Sequence, residues 1–224
     1  MTITEALGLR PGVTAVIGGG GKTTLLRTAG EELAAAGHTV LLCTTTKIMP
    51  FPGLPNVTEG GTAALTAALA EHRLVCAGTV LPESGKLTAP AIPMAHLAEL
   101  ADYVLVEADG SARRSLKAHL SHEPVIPAET NRTICVTGVS GFGLPIAEAA
   151  HRPERFAALA ETARSAPATP ENTALVLQKE GLADLYFFNQ ADTPERWEWA
   201  LRAAQALGRP AVLGALHKGA YRRC

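Results

Sequence analysis

Four glycines, a lysine and two threonines run from Gly18 to Thr24, between the apolar run Val13 to Ile17 and a helical pattern that begins near Lys22. A phosphate group binds well where several backbone N–H groups converge, and glycines let the chain approach it without Cβ clashes. A helix starting at Lys22 would add the partial positive charge of its N-terminus. Lys22 would reach the outer phosphates of a nucleoside triphosphate, and the Thr23 hydroxyl would ligate a magnesium ion. The candidate nucleotide-binding residues are therefore Gly18, Gly19, Gly20, Gly21, Lys22, Thr23 and Thr24, with Lys22 also a candidate catalytic group. One position departs from the usual spacing: Val16 stands where a further glycine is expected.

Phosphoryl chemistry also needs a carboxylate near the metal and a group that orients the attacking water. The apolar run Tyr103 to Val106 ends in Glu107-Ala108-Asp109-Gly110, and either acid could serve magnesium. Asp109 or Thr45 could orient water. Thr45 lies in Thr44-Thr45-Thr46-Lys47, a hydroxyl-rich stretch ending in a cation that could order around a γ-phosphate. Beyond the acids comes the densest basic segment, with Arg113, Arg114, Lys117, His119 and His122. Arginine forks and a lysine suit an anionic substrate, so Lys47 and these five form the candidate substrate set. A solvated charged face is the competing reading. Near the end, Asn189-Gln190-Ala191-Asp192 is similar to the Asn-Lys-x-Asp motif with which GTP-binding proteins read guanine, because an aspartate can accept from both the ring N–H and the exocyclic amine. Gln190 replaces the lysine of that motif. The alternative makes Asp192 the N-cap of a following helix.

These groups need a scaffold that brings them to one edge. Continuous apolar runs at Val13 to Ile17, Thr39 to Cys43, Leu74 to Ala77, Tyr103 to Val106, Thr133 to Thr137, Leu185 to Phe188 and Ala211 to Leu216 suit strands buried on both faces. Helical patterns such as Leu25 to Ala36, Thr62 to His72 and Pro194 to Leu207 supply crossovers. The expected fold is a three-layer α/β domain spanning residues 1–224, with a mostly parallel sheet whose carboxyl-terminal strand ends carry the ligands. A hairpin excursion is expected at 79–90, with a local role, and a surface connection over Ala163 to Asn172.

At 224 residues and 47% hydrophobic the chain can bury a sizeable core. A net charge of -1 argues against a surface built to neutralise nucleic acid. No apolar run reaches the ~18 residues of a membrane span, and no signal pattern opens the chain, so a cytoplasmic location is expected. The four cysteines are too far apart for a zinc site and read as buried thiols, with Cys43 the one closest to a possible site.

The quoted motifs together resemble the YqeC family, accessory proteins of selenium-dependent molybdenum hydroxylases. The resemblance rests on Gly18 to Thr23, Thr44 to Lys47, Val106 to Ser111 and His122 to Pro127. It implies a phosphate-loop NTPase fold and a cytoplasmic role in maturing a selenium or molybdenum centre, with a molybdenum hydroxylase or its maturation factors as partners and Mg2+ with GTP or ATP as cofactors. It does not imply a defined reaction. The loop is also similar to that of dimeric ATPases with Lys-Gly-Gly-x-Gly-Lys-Thr, but Ile17 occupies the place of their extra lysine. Three activities stay open: a magnesium-dependent NTPase with GTP favoured, a small-molecule kinase, and a nucleotide-gated binding module with little hydrolysis.

Overall fold

Valine, isoleucine and leucine dominate the runs that become strands, because β-branched side chains fit a pleated surface and both faces here are covered. A computed structural model covers residues 1–224. In chain order its strands are β1 (Gly12–Gly18), β2 (Val40–Thr44), β3 (Asn56–Val57), β4 (Leu74–Ala77), β5 (Thr79–Leu81), β6 (Lys86–Thr88), β7 (Tyr103–Glu107), β8 (Leu116–Lys117), β9 (Thr130–Gly138), β10 (Ala150–His151), β11 (Leu185–Asn189), β12 (Ala211–Ala215) and β13 (Ala220–Arg223). The helices are α1 (Ile3–Leu7), α2 (Lys22–Ala35), α3 (Gly61–Glu71), α4 (Met94–Leu100), α5 (Ile146–Ala149), α6 (Pro153–Leu159), α7 (Pro170–Glu180) and α8 (Pro194–Leu207).

One nine-stranded sheet runs in the order β13-β12-β11-β9-β1-β7-β2-β4-β3. Every pairing in it is parallel except that of β12 with β13. Successive residues of β1 point to opposite faces, as the strand period requires. Val16 joins the core formed with α1 and α2, whereas Ala15 and Ile17 join the core under α5 to α8. A third cluster fills the space between α3, α4 and the same face of the sheet, with Leu41, Val104 and Val106 in it. The result is a three-layer, phosphate-loop NTPase-like α/β fold.

Helix α2 sits directly behind the glycine loop because Leu25, Leu26, Ala29 and Leu33 recur at helical spacing and are all buried. Each leucine buried there contributes about 1.5–3 kcal/mol of transfer free energy, enough to hold the helix end against the sheet. Strands β5 and β6 form the antiparallel hairpin, tied back to the loop after β2 through the bridge Ile48 to Leu87. The connection expected over Ala163 to Asn172 is shorter than that. Thr169 caps α7 from the Asn172 N–H in a reciprocal capping box, so the helix claims the last three residues. No helix is long and apolar enough to cross a membrane.

Candidate functional site

The parallel order places β1, β7 and β2 side by side, so the glycine loop, Glu107 and the threonine stretch meet at one edge. They line a cleft of about 1140 Å³. Its walls carry Gly20, Gly21, Lys22, Thr23, Thr24, Thr45, Lys47, Glu107, Arg113 and Arg114, all of them sequence candidates, together with Lys86, Glu123, Arg152 and Gln190, which were not. Six cations and two carboxylates face this space.

The loop is held from below. The Gly18 N–H donates to Asp109 Oδ2 at 2.8 Å, Gly19 N–H to the Val136 carbonyl at 2.9 Å and Gly20 N–H to the Arg114 carbonyl at 3.2 Å. A side chain at Gly19 would stand 2.7 Å from that Arg114 carbonyl, so close approach explains the glycine. Three of the four glycine amides therefore build the loop rather than face a ligand. The N–H groups left free for a ligand are those of Gly21, which has no backbone acceptor, and of the first turn of α2, which have no intrahelical partner.

Thr23 Oγ1 donates to Glu107 Oε2 at 2.7 Å. Glu107 is nearly buried, and that burial, only partly offset by Lys22 and Thr23, pushes its carboxyl above the ordinary value. Hydroxyl and carboxylate oxygens side by side at the start of α2 match magnesium, which is held by one or two carboxylates and completes its shell with phosphate and water. The residues fit that ion. Of the two acids, Glu107 is the one in contact with Thr23.

Asp109 is elsewhere, which corrects its expected place as metal ligand and water-orienting group. Its side chain is fully enclosed beneath the loop, where it meets Gly18 N–H, Lys22 Nζ at 3.0 Å, Lys117 Nζ at 3.0 Å and His119 Nε2 at 2.8 Å. Burial alone would raise its pKa; the hydrogen bond to His119 and the charges of Lys22 and Lys117 outweigh that and hold the carboxyl well below the carboxylate range. Lys22 is correspondingly folded back, its ammonium donating to the Gly18 carbonyl at 2.6 Å and 3.8 Å from Glu107.

Two of the substrate candidates belong to the same buried knot. Lys117 also reaches the Gly110 carbonyl at 2.6 Å and Glu123 at 3.2 Å, and His119 Nδ1 pairs with Glu180 Oε2 at 2.8 Å. Burial would lower the His119 pKa, but its bonds to Asp109 and Glu180 raise it instead. Neither side chain faces the cleft. His122 is exposed and lies outside the lining. Arg114 lines the cleft while its guanidinium donates to the Glu148 carbonyl. Thr45 lines the cleft, and its Oγ1 donates to the Val125 carbonyl at 2.7 Å and keeps its acceptor capacity.

At the end of β11, Asn189 is buried; its amide donates to the Gly20 carbonyl at 2.8 Å and its oxygen accepts from Leu216 N–H at 3.2 Å. Asn189 thus ties the loop to the turn that follows β12. Asp192 pairs with Arg196 at 2.7 Å and does not line the cleft, and the N-cap of α8 is Thr193, not Asp192. Cys43 is wholly buried, its thiol pKa is raised by desolvation, and it packs in the core outside the cleft lining.

The model of the family described as YqeC protein matches residues 14–154, more than half of the chain. This chain belongs to the YqeC family. An uncharacterized YqeC protein of Escherichia coli (strain K12) is 37% identical over 154 residues, which cover 66% of this chain and 60% of that protein, so the match spans about three fifths of that relative's length. Among solved structures, the signal recognition particle 54 kDa protein of Aeropyrum pernix K1 in complex with GDP superposes with a TM-score of 0.48 at 15% identity, over 96% of this chain and 44% of that one. The hydrogenase maturation factor HypB of Archaeoglobus fulgidus gives 0.44 at 12% identity, over 93% and 83%. The family match takes in the glycine loop, the threonine stretch and the acids after β7; the Asn189 to Asp192 segment lies beyond it.

Proposed function

We propose that this member of the YqeC family is a magnesium-dependent nucleoside triphosphatase of the cytoplasm, with GTP favoured over ATP, serving as an accessory protein in the maturation of selenium-dependent molybdenum hydroxylases. The observation that carries the nucleotide reading is the contact of Thr23 with Glu107 at the mouth of a cleft floored by Gly21 and Lys22. Thr23 and Glu107 would hold magnesium, which supplies charge neutralisation at the phosphates when bound. Free N–H groups from Gly21 to Thr24 would cradle the β- and γ-phosphates, and an arriving anion would draw Lys22 from Asp109 toward the cleft. Thr45, through its acceptor lone pairs, would orient a water for attack on the γ-phosphorus, breaking the bond to the β–γ bridging oxygen and releasing the diphosphate. The maturation role follows from the family resemblance, and the client is a molybdenum hydroxylase or one of its maturation factors.

Calorimetric titration with GTP and ATP in magnesium, with phosphate release followed in the same samples, tests the core of this reading. Lys22→Ala should weaken binding by at least about tenfold and abolish turnover, since a charge-assisted contact to phosphate is lost. Unchanged affinity and turnover in that variant would sink it. A second reading, transfer of the phosphoryl group to a small acceptor instead of water, is favoured by the cations of the cleft that lie beyond the glycine loop.

A further inference from the structure

Lys47 follows β2, Lys86 stands on the hairpin strand β6, Arg113 follows β7 and Arg152 caps α6, yet all four line one cleft. Lys47, Lys86 and Arg113 enter none of the protein's ion pairs. Arg152 has one long contact, 3.5 Å to Glu123, and its Nε is enclosed without a hydrogen-bond partner. Glu123 itself is drawn to the buried Lys117 at 3.2 Å. In a chain whose net charge is -1, this is a local excess of positive charge in a concave space, the arrangement that concentrates anions.

The backbone adds an independent observation. Five non-glycine residues hold positive φ, and four of them, Ala112 (47°), Arg113 (62°), Arg152 (66°) and Gln190 (68°), line this cleft. Such conformations are costly for residues with a side chain and cluster at ligand sites. Two of the four, Arg113 and Arg152, are arginines that line the cleft. In the proposed function a nucleoside triphosphate would already have the N–H groups from Gly21 to Thr24, Lys22 and magnesium as its complement. The outer cations remain over.

We propose that the cleft holds a second anion-binding site, formed by Lys47, Lys86, Arg113 and Arg152, for a phosphorylated small molecule that sits beside the bound nucleotide. Two guanidinium forks and two ammonium groups match the several acceptor oxygens of a phosphate dianion better than the two of a carboxylate. The hairpin β5–β6 is then a wall of this site. The inference rests on the nucleotide reading for the identity of the first ligand.

The test uses the full chain saturated with magnesium and a non-hydrolysable GTP or ATP analogue, whichever binds more tightly, and titrates it calorimetrically with inorganic phosphate and, in parallel, with malonate. Phosphate should bind on top of the nucleotide, more tightly than malonate. The Lys86→Gln/Arg113→Gln double variant should weaken phosphate at least about tenfold, with nucleotide affinity unchanged, because two charge-assisted contacts are lost. No phosphate binding to the nucleotide complex, equal binding of malonate, or full affinity in the double variant would each overturn this site while leaving the nucleotide reading intact. If no nucleotide binds, the nucleotide reading fails alone provided phosphate still binds the free protein and loses affinity in the double variant; if it does not, both fail.

Discussion

Lys22 is held by Asp109 and the Gly18 carbonyl, and in the proposed function it would become a phosphate ligand only by leaving them for a competing anion. The sequence shows a lysine at the right place in a glycine loop, but not that a buried aspartate waits beneath it. Lys117 and His119 illustrate the same limit. They stand in the basic run beside Arg113 and look like surface cations, because residue type and spacing do not tell which way a side chain points; β8 turns them under the loop onto Asp109. Glu180, at the end of a helix of mixed polarity, gave no signal at all. Asp192 poses the sharper question. Its pairing with Arg196 lowers its pKa, so it is an ionised, acceptor-only group at neutral pH, as guanine recognition requires. Asp192→Ala should cost about tenfold in GTP affinity and leave ATP within twofold, since one pair of donors on the base loses its acceptor. Equal losses for the two nucleotides in competition titrations would reassign Asp192 to orienting α8 through Arg196.

At the scale of elements, what was legible follows from burial. The strands at the centre of the sheet are covered on both faces and show as unbroken apolar runs, so β1, β2, β4, β7, β9, β11 and β12 all stand out in the sequence. Edge strands do not: β13 reads Ala-Tyr-Arg-Arg with mostly exposed residues, and β3 is only two residues long. The hairpin β5–β6 was legible as a turn between apolar pieces, but its contribution of Lys86 and Thr88 to the cleft depends on its docking against Ile48, a long-range contact no local pattern encodes. The glycine loop, by contrast, is both legible and sterically dictated. Gly20 has φ of 82° and a side chain there would overlap the backbone of Gly138. Gly20→Ala should therefore lower stability by more than about 1 kcal/mol, the cost of strained φ alone, and weaken nucleotide binding as the loop lifts from Asn189 and Arg114. Chemical denaturation and nucleotide titration of that variant measure the two effects; wild-type values for both would mean that the loop tolerates another path.

For the molecule as a whole, the buried polar knot joins parts that are distant in the chain: Gly18 and Lys22 at β1 and α2, Asp109 after β7, Lys117 and His119 around β8, and Glu180 at the end of α7. Removing one charged member of such a knot leaves the others buried and uncompensated, so the glycine-loop edge and the opposite helical layer are stabilised together. The pH dependence follows from the direction of each shift. Asp109 has its folded pKa lowered from 3.8, so its contribution is present above that value and is lost only as pH falls through the depressed folded value. His119 has its pKa raised from 6.5, so its contribution is complete below 6.5 and fades as pH rises through the folded value. Glu107, raised from 4.5, acts in the same direction as His119 but from a lower starting point, since ionising it in a nearly buried position is unfavourable. Stability should thus decline on the alkaline side of 6.5, and His119→Gln should remove most of that decline while lowering stability at acidic and neutral pH, where the charged imidazole would otherwise bridge Asp109 and Glu180. Melting temperatures of the two proteins from about pH 5 to pH 9 decide it. Parallel curves would show that His119 is held neutral by its surroundings, and that the alkaline loss, if present, belongs to another group.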